Sequence, residues 1–85
     1  MNTFDLEIVT PEQIFPRRSI TSIDVPASNG RLTVLANHEK FICSLLSGVV
    51  KIRNGKNSEE WSVGAGTMTV DRNSVTLLVR QANKA

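Results

Sequence analysis

Tyrosine is absent from this 85-residue chain, and cysteine and tryptophan occur once each. A lone cysteine, Cys43, has no partner within the chain for a disulfide and no second thiolate with which to build a zinc site. A reducing compartment is its simplest setting. The aromatic residues are Phe4, Phe15, Phe41 and Trp61, and their spacing does not make a platform on which bases could stack. No stretch approaches the roughly 18 to 20 apolar residues of a membrane helix. The opening Met1-Asn2-Thr3-Phe4-Asp5-Leu6-Glu7 has no basic region leading into an apolar one, so no secretory signal is expected. Charge of one sign is scarce as well. Ten basic residues against eight acidic ones, scattered along the chain, leave a net +2, which gives little pull toward nucleic acid or an anionic membrane.

What the sequence has in quantity is alternation. Hydrophobic residues make up 40% of it, enough for one core, and they recur at every second position as in half-buried strands. Phe4, Leu6 and Ile8 share one face while Asp5 and Glu7 share the other. The pattern returns at Ile23 and Val25, Leu32 and Val34, Val50 and Ile52, Trp61 and Val63, Met68 and Val70, and Val75, Leu77 and Val79. Turn residues separate these runs: Pro11 and Pro16 bracket a small unit, Pro26 to Gly30 forms a loop, Asn54-Gly55 signals a tight turn, and Asp71 to Ser74 reads as a hairpin connection. Many short strands, each with one apolar face to bury, predict an all-β fold, a small β-sandwich or barrel, in a single domain over 1–85. Residues 38–47 are ambiguous, because Phe41 with Leu45 and Ile42 with Leu46 also fit a helical spacing of four.

Chemistry-bearing residues are few and do not fall into motifs. His38, the only histidine, could pair with Cys43 or an aspartate as a nucleophile system, but nothing around it has the required pattern, and a surface or interface histidine is the plainer reading. Cys43 lies in the apolar run Phe41-Ile42-Cys43-Ser44-Leu45-Leu46, where a buried inert thiol is expected. Gly64-Ala65-Gly66 lacks the third glycine and following helix of a phosphate loop and suggests a close backbone approach or a bulge. Arg17-Arg18 and the group Lys51, Arg53 and Lys56 could meet phosphate, which makes a single-stranded nucleic-acid-binding barrel the alternative function, with a small enzyme using His38 as a third. Glu59 and Glu60 point to opposite sides of a strand and form no carboxylate pair. No catalytic residue, metal or cofactor is expected.

The order of short blocks along the chain resembles the N-terminal β-domain of ATP synthase epsilon subunits. The blocks are Leu6-Glu7-Ile8-Val9-Thr10-Pro11-Glu12; Ile23-Asp24-Val25-Pro26 followed by Asn29 to His38; Ser47 to Ile52; Gly64-Ala65-Gly66; and Asn73 to Leu78. The resemblance implies a sandwich of about ten short strands and a non-catalytic rotor subunit that links the gamma shaft to the membrane proteolipid ring (the c-ring). It would be peripheral on the cytoplasmic face of a bacterial inner membrane, or at the organellar equivalent, and reach the membrane only through the complex. Asn29, Gly30 and Arg31 match positions that face the ring in that family. Thr10, His38 and Cys43 match its gamma-facing positions, and the neighbouring Phe41 and Ile42 would add apolar area. Arg31 stands where the family usually carries glutamate, Thr33 replaces a glycine, Ala36-Asn37 replaces Pro-Gly and Glu39-Lys40 replaces Ala-Pro. The family's C-terminal helical hairpin, which can inhibit hydrolysis or bind ATP, is not expected in the residues after Val79.

Overall fold

In the computed structural model, which describes residues 2–37 and 39–85, the described residues form ten strands and no helix. The strands are β1 (Phe4–Val9), β2 (Ile14–Ile20), β3 (Ser22–Ala27), β4 (Gly30–Leu35), β5 (Phe41–Leu45), β6 (Gly48–Asn54), β7 (Asn57–Val63), β8 (Gly66–Asp71), β9 (Ser74–Val79) and β10 (Ala82–Lys84). They hydrogen-bond in the order β10-β7-β6-β3-β5-β8-β9-β1-β2, and β4 pairs with the other flank of β3. All the pairings are antiparallel except β1 with β9.

β3 divides this curled sheet into two layers. It runs beside β4 along its whole length, while its opposite edge meets β6 through Ser22 to Asp24 and β5 only at Ala27. The seam with β5 is completed by two backbone bonds, Leu46 N to Pro26 O at 2.8 Å and Ser28 N to Ser44 O at 3.1 Å. On one side lie β10, β7, β6, β3 and β4; on the other lie β5, β8, β9, β1 and β2.

The core fills the space between the layers, and most of it is the positions that alternation picked out; Ile20 and Leu45 join them, while Leu32 is only partly buried. Leu6, Ile23, Val25, Val34, Val50, Ile52, Met68, Val70, Val75 and Leu77 are each 2% exposed or less, and each such side chain contributes about 1.5–3 kcal/mol relative to remaining in water. The described residues include no buried polar or charged side chain. The ambiguous segment 38–47 holds a strand rather than a helical turn: Leu45 is buried, Phe41 and Cys43 pack against the core, and Ile42 and Leu46 face outward.

Two strands did not show in the sequence pattern. β2 carries Pro16, Arg17 and Arg18 and is mostly exposed, which suits an edge strand where a proline leaves no ladder bond unmade. β10 has three residues and pairs only with β7. The Gly64-Ala65-Gly66 bend is a close approach, as expected. A Cβ on Gly66 would run into the Leu78 carbonyl oxygen and lie 2.8 Å from the Cα of Val79. The Asn54-Gly55 turn forms with Asn54 opposite Asn57, so the loop is Gly55-Lys56. Of the two loop residues only Gly55 has positive φ, the type II′ arrangement that matches strand twist.

Candidate functional site

The described residues assemble no reaction centre. No group of three or more His, Cys, Asp or Glu side chains among them is placed to hold a metal ion. Burial pushes the Cys43 thiol above its ordinary pKa, the opposite of what a nucleophilic cysteine needs. His38 lies outside the described residues. A cleft of about 980 Å³ lies where Asn37, Glu39 and Lys40 meet Asp71, Arg72 and Asn73; its charges are mixed, two acidic and two basic among the described residues. What stands out instead are two surfaces.

The first is the outer face of the layer β5-β8-β9-β1-β2. Strand alternation should leave polar groups here, and Thr67, Thr69 and Thr76 conform. Val9, Ile14, Ile42 and Leu78 do not. Leu78 pairs with Val9 on β1, and Val9 with Ile14 on β2, so with strands about 4.8 Å apart the three form an apolar row about 10 Å wide. Ile42 continues it across the threonines, two strands and one pleat away. Ile14 is 65% exposed, Leu78 49% and Ile42 72%. A groove of about 360 Å³ beside the row is lined by Val9, Thr10, Pro11, Ala65 and Leu78, among others.

Thr10 therefore stands at the rim of this face. Its hydroxyl holds the β1–β2 turn, accepting from Gln13 N at 3.1 Å and donating to Gln13 O at 3.2 Å. Of the residues matched to a gamma-facing role, Thr10 and Ile42 are thus on one face, while Phe41 and Cys43 turn inward from β5 against the core. Val9, Ile14 and Leu78 were not singled out from the sequence. The signal was available: each is an apolar residue at the wrong parity, as in Ile8-Val9 and Leu77-Leu78.

The second surface is the β3–β4 turn. Ala27 pairs with Gly30 across the two-residue loop Ser28-Asn29, and Gly30 takes φ 121°, a conformation closed to other residues without strain. Asn29, Gly30 and Arg31 are all exposed. Arg31 is not an unpaired cation. Its Nε donates to Asp24 Oδ1 at 2.9 Å and a terminal nitrogen donates to the Asp24 carbonyl at 3.3 Å. Asp24 sits diagonally across the β3–β4 pair, opposite Thr33.

Arg18 and Glu59 make a third feature, bridging the layers. Both point inward, from β2 and β7, and meet at 2.6 Å. Glu59 also accepts from Trp61 Nε1 at 2.7 Å and lies 3.9 Å from Lys84 Nζ. Partial burial would raise the Glu59 pKa, but hydrogen bonds from Arg18 and Trp61, with the charges of Arg18 and Lys84, hold it below the usual carboxylate range. Phe15 packs edge-on to Trp61, with ring centroids 4.9 Å apart.

Most of the basic candidates have acidic neighbours, which breaks up a phosphate track. Arg17 faces Glu7, Arg18 faces Glu59, Arg31 faces Asp24, and Lys51 pairs across strands with Glu60. Phe4 and Trp61 are buried and Phe15 and Phe41 partly so, so they offer no open platform along which successive bases could stack. The fold and its surfaces thus define a small β-sandwich interaction domain. Residues 3–85 match the ATP synthase, delta/epsilon chain, beta-sandwich domain family, and the chain belongs to it.

Curated relatives include the ATP synthase epsilon chain of Magnetococcus marinus, 40% identical over 80 residues covering 94% of this chain and 58% of that one. The chloroplastic epsilon chain of Chlorella vulgaris is 35% identical over 83 residues, covering 98% of this chain and 62% of that one. The chain spans about three fifths of the length of these relatives. Among solved structures, a chain of the Euglena gracilis mitochondrial ATP synthase OSCP/F1/c-ring assembly superposes with TM-score 0.91 at 18% identity, over 96% of this chain and 53% of that one. A chain of the Tetrahymena thermophila central stalk and c-ring gives 0.82 at 16%, over 96% and 66%. At these identities the superpositions establish the sandwich.

Proposed function

We propose that this chain is the β-domain of a non-catalytic rotor subunit of a rotary ATP synthase, seated between the gamma shaft and the proteolipid ring at the membrane-facing foot of the catalytic sector. The observation that carries the reading is the apolar row Ile14–Val9–Leu78 with Ile42, on a sheet face where polar residues are the rule. In a chain whose family works within a multisubunit complex, such a row marks a protein interface. Gamma covers this face, with Thr10 at its rim; the gamma-facing role of His38 rests on its match in sequence alone. Phe41 and Cys43 support the face from beneath.

The Asn29-Gly30-Arg31 turn meets the ring. Because the charge of Arg31 is already paired with Asp24, the ring need not supply a carboxylate, and the turn contacts it mainly through backbone groups and Asn29. Torque coupling is the activity assigned; the chain makes and breaks no bonds. In a bacterium it works on the cytoplasmic side of the inner membrane, held there by the complex.

The test is capture of this chain by its own gamma subunit, comparing the native sequence with Leu78→Ser and Ile14→Ser. Both changes are on the surface and should leave stability within about 0.5 kcal/mol, while together they weaken gamma binding by about 1 kcal/mol or more. Unchanged affinity in the double variant would remove gamma from this face.

A further inference from the structure

On the side where β2 faces β7, the gap between the layers is not closed by another strand. A crevice of about 250 Å³ opens there, lined by Leu6, Ile8, Phe15, Pro16, Arg18 and Trp61. Leu6 and Ile8 belong to the buried core and floor it. Phe15 and Trp61, set at 87° to each other, form one wall. This is the inner side of β1 and β2, so the crevice is separate from the outer row containing Val9 and Ile14.

Two properties narrow what it can hold. The first is size: a cavity of about 150 Å³ accepts a benzene ring, so this one suits a fused pair of rings. The second is the charge around Arg18, the one charged residue of its lining among the described residues. Arg18 and Lys84 flank the single carboxylate of Glu59, leaving one positive charge in excess. The Trp61 indole N–H is already given to Glu59. The guanidinium and ammonium carry only donors, and more of them than one carboxylate engages. A ligand that complements the site has an apolar ring system and one anionic acceptor.

We propose that this crevice is a binding site for a small bicyclic monocarboxylate, its rings against Phe15 and Trp61 and its carboxylate on Arg18. Nothing covalent is involved. Since Arg18, Glu59 and Trp61 also tie β2 to β7, occupancy would stiffen the open side of the sandwich.

Trp61 is the chain's one tryptophan, so its indole N–H gives a single, unambiguous signal in a nitrogen–proton correlation spectrum. The ¹⁵N-labelled full chain is titrated with 2-naphthoate. Expected is a saturable, one-to-one shift of the Trp61 indole signal and of β1, β2 and β7 amides, with a dissociation constant in the millimolar range or tighter. Arg18→Gln should weaken binding about five- to tenfold. Arg18→Lys, which retains the charge, should lose less, and serves if the glutamine variant is not folded. The cation 2-naphthylmethylamine should bind more weakly than the carboxylate. Shifts that grow linearly without saturating, shifts centred on Val9, Ile14 and Leu78, or equal binding of the amine and the carboxylate would each overturn the proposal.

Discussion

Replacing Glu59 with glutamine removes one charge while leaving shape and one acceptor oxygen, so it isolates the electrostatic part of the bridge between β2 and β7. The Glu59 side chain is 22% exposed and that of Arg18 41%. The ion pair is therefore discounted toward the surface value of about 0–1 kcal/mol. The bond from the buried indole of Trp61 is charge-assisted, about 1.5 kcal/mol or more, and the amide oxygen keeps part of it. The expected loss is about 1–2 kcal/mol at pH 7. For a domain of this size that lowers Tm by roughly 5–15 °C.

The pH dependence gives the sharper test. The folded-state pKa of Glu59 lies below its ordinary 4.5, so the unfolded chain takes up the proton first as the pH falls. Its contribution is fully present above that ordinary value and is lost as the pH drops through the folded one. Thermal melts of the native chain and Glu59→Gln, followed by far-ultraviolet circular dichroism from pH 7 downward, should converge in that window. Equal Tm at pH 7, or a gap that widens below pH 4.5, would show that the bridge does not act as described.

Three further outcomes are expected. Gly66→Ala drives a methyl group into the Leu78 carbonyl with only backbone to yield, and should destabilise by more than about 2 kcal/mol in urea denaturation; a variant of native stability would mean that β8 and β9 are not this close. Arg72 has φ 46° in the β8–β9 turn, and Arg72→Gly should stabilise by about 0.5–1 kcal/mol, relief of strain exceeding the added freedom of the unfolded chain; a loss measured in the same assay would place the strain elsewhere. Asp24→Asn leaves the Arg31 guanidinium without its carboxylate at a cost of about 0–1 kcal/mol; weaker association with the isolated ring than the native chain, at equal fold stability, would indicate that the ring recognises the pair rather than the turn backbone.

Much of the fold could be read in the sequence because a strand with one buried face writes its orientation into every second residue. Phe4-Leu6-Ile8 and Val75-Leu77-Val79 did so without ambiguity, and both are core. β2 was not legible because, as an edge strand, it buries little and tolerates Pro16. β10 is held by pairing with β7 rather than by a hydrophobic period of its own. At the candidate surfaces, Pro26 to Gly30 announced a loop, although β3 runs on through Pro26 to Ala27 and only Ser28 and Asn29 turn; the partner of Arg31 could be known only once β3 and β4 were in register. Glu59 and Arg18, 41 residues apart, left no local trace at all. The outer apolar row was hidden differently: the same alternation that locates the core also conceals apolar residues on the wrong face, unless departures from it are read as signals.

The division of labour around β3 has a mechanical consequence. The exposed turn containing Asn29 to Arg31 belongs to one layer and the apolar row to the other, and among the described residues the backbone joins the layers at two narrow places: Ala27 with Leu45 and its two flanking hydrogen bonds, and the crossing where Gly64 and Ala65 bond to Gln81 and Arg80. A force entering at one surface and leaving at the other cannot travel along a continuous ladder. Besides those crossings it passes in shear through interlocked side chains such as Ile23, Ile52, Met68 and Leu77, with the Arg18–Glu59 pair as a brace on the far side. Close-packed interiors have low compressibility and feel the loss of even a methylene, so the stiffness of this domain depends on how its core residues fill the space between the layers. Two chains with identical docking surfaces could then differ as springs through nothing more than an isoleucine exchanged for a valine in the middle.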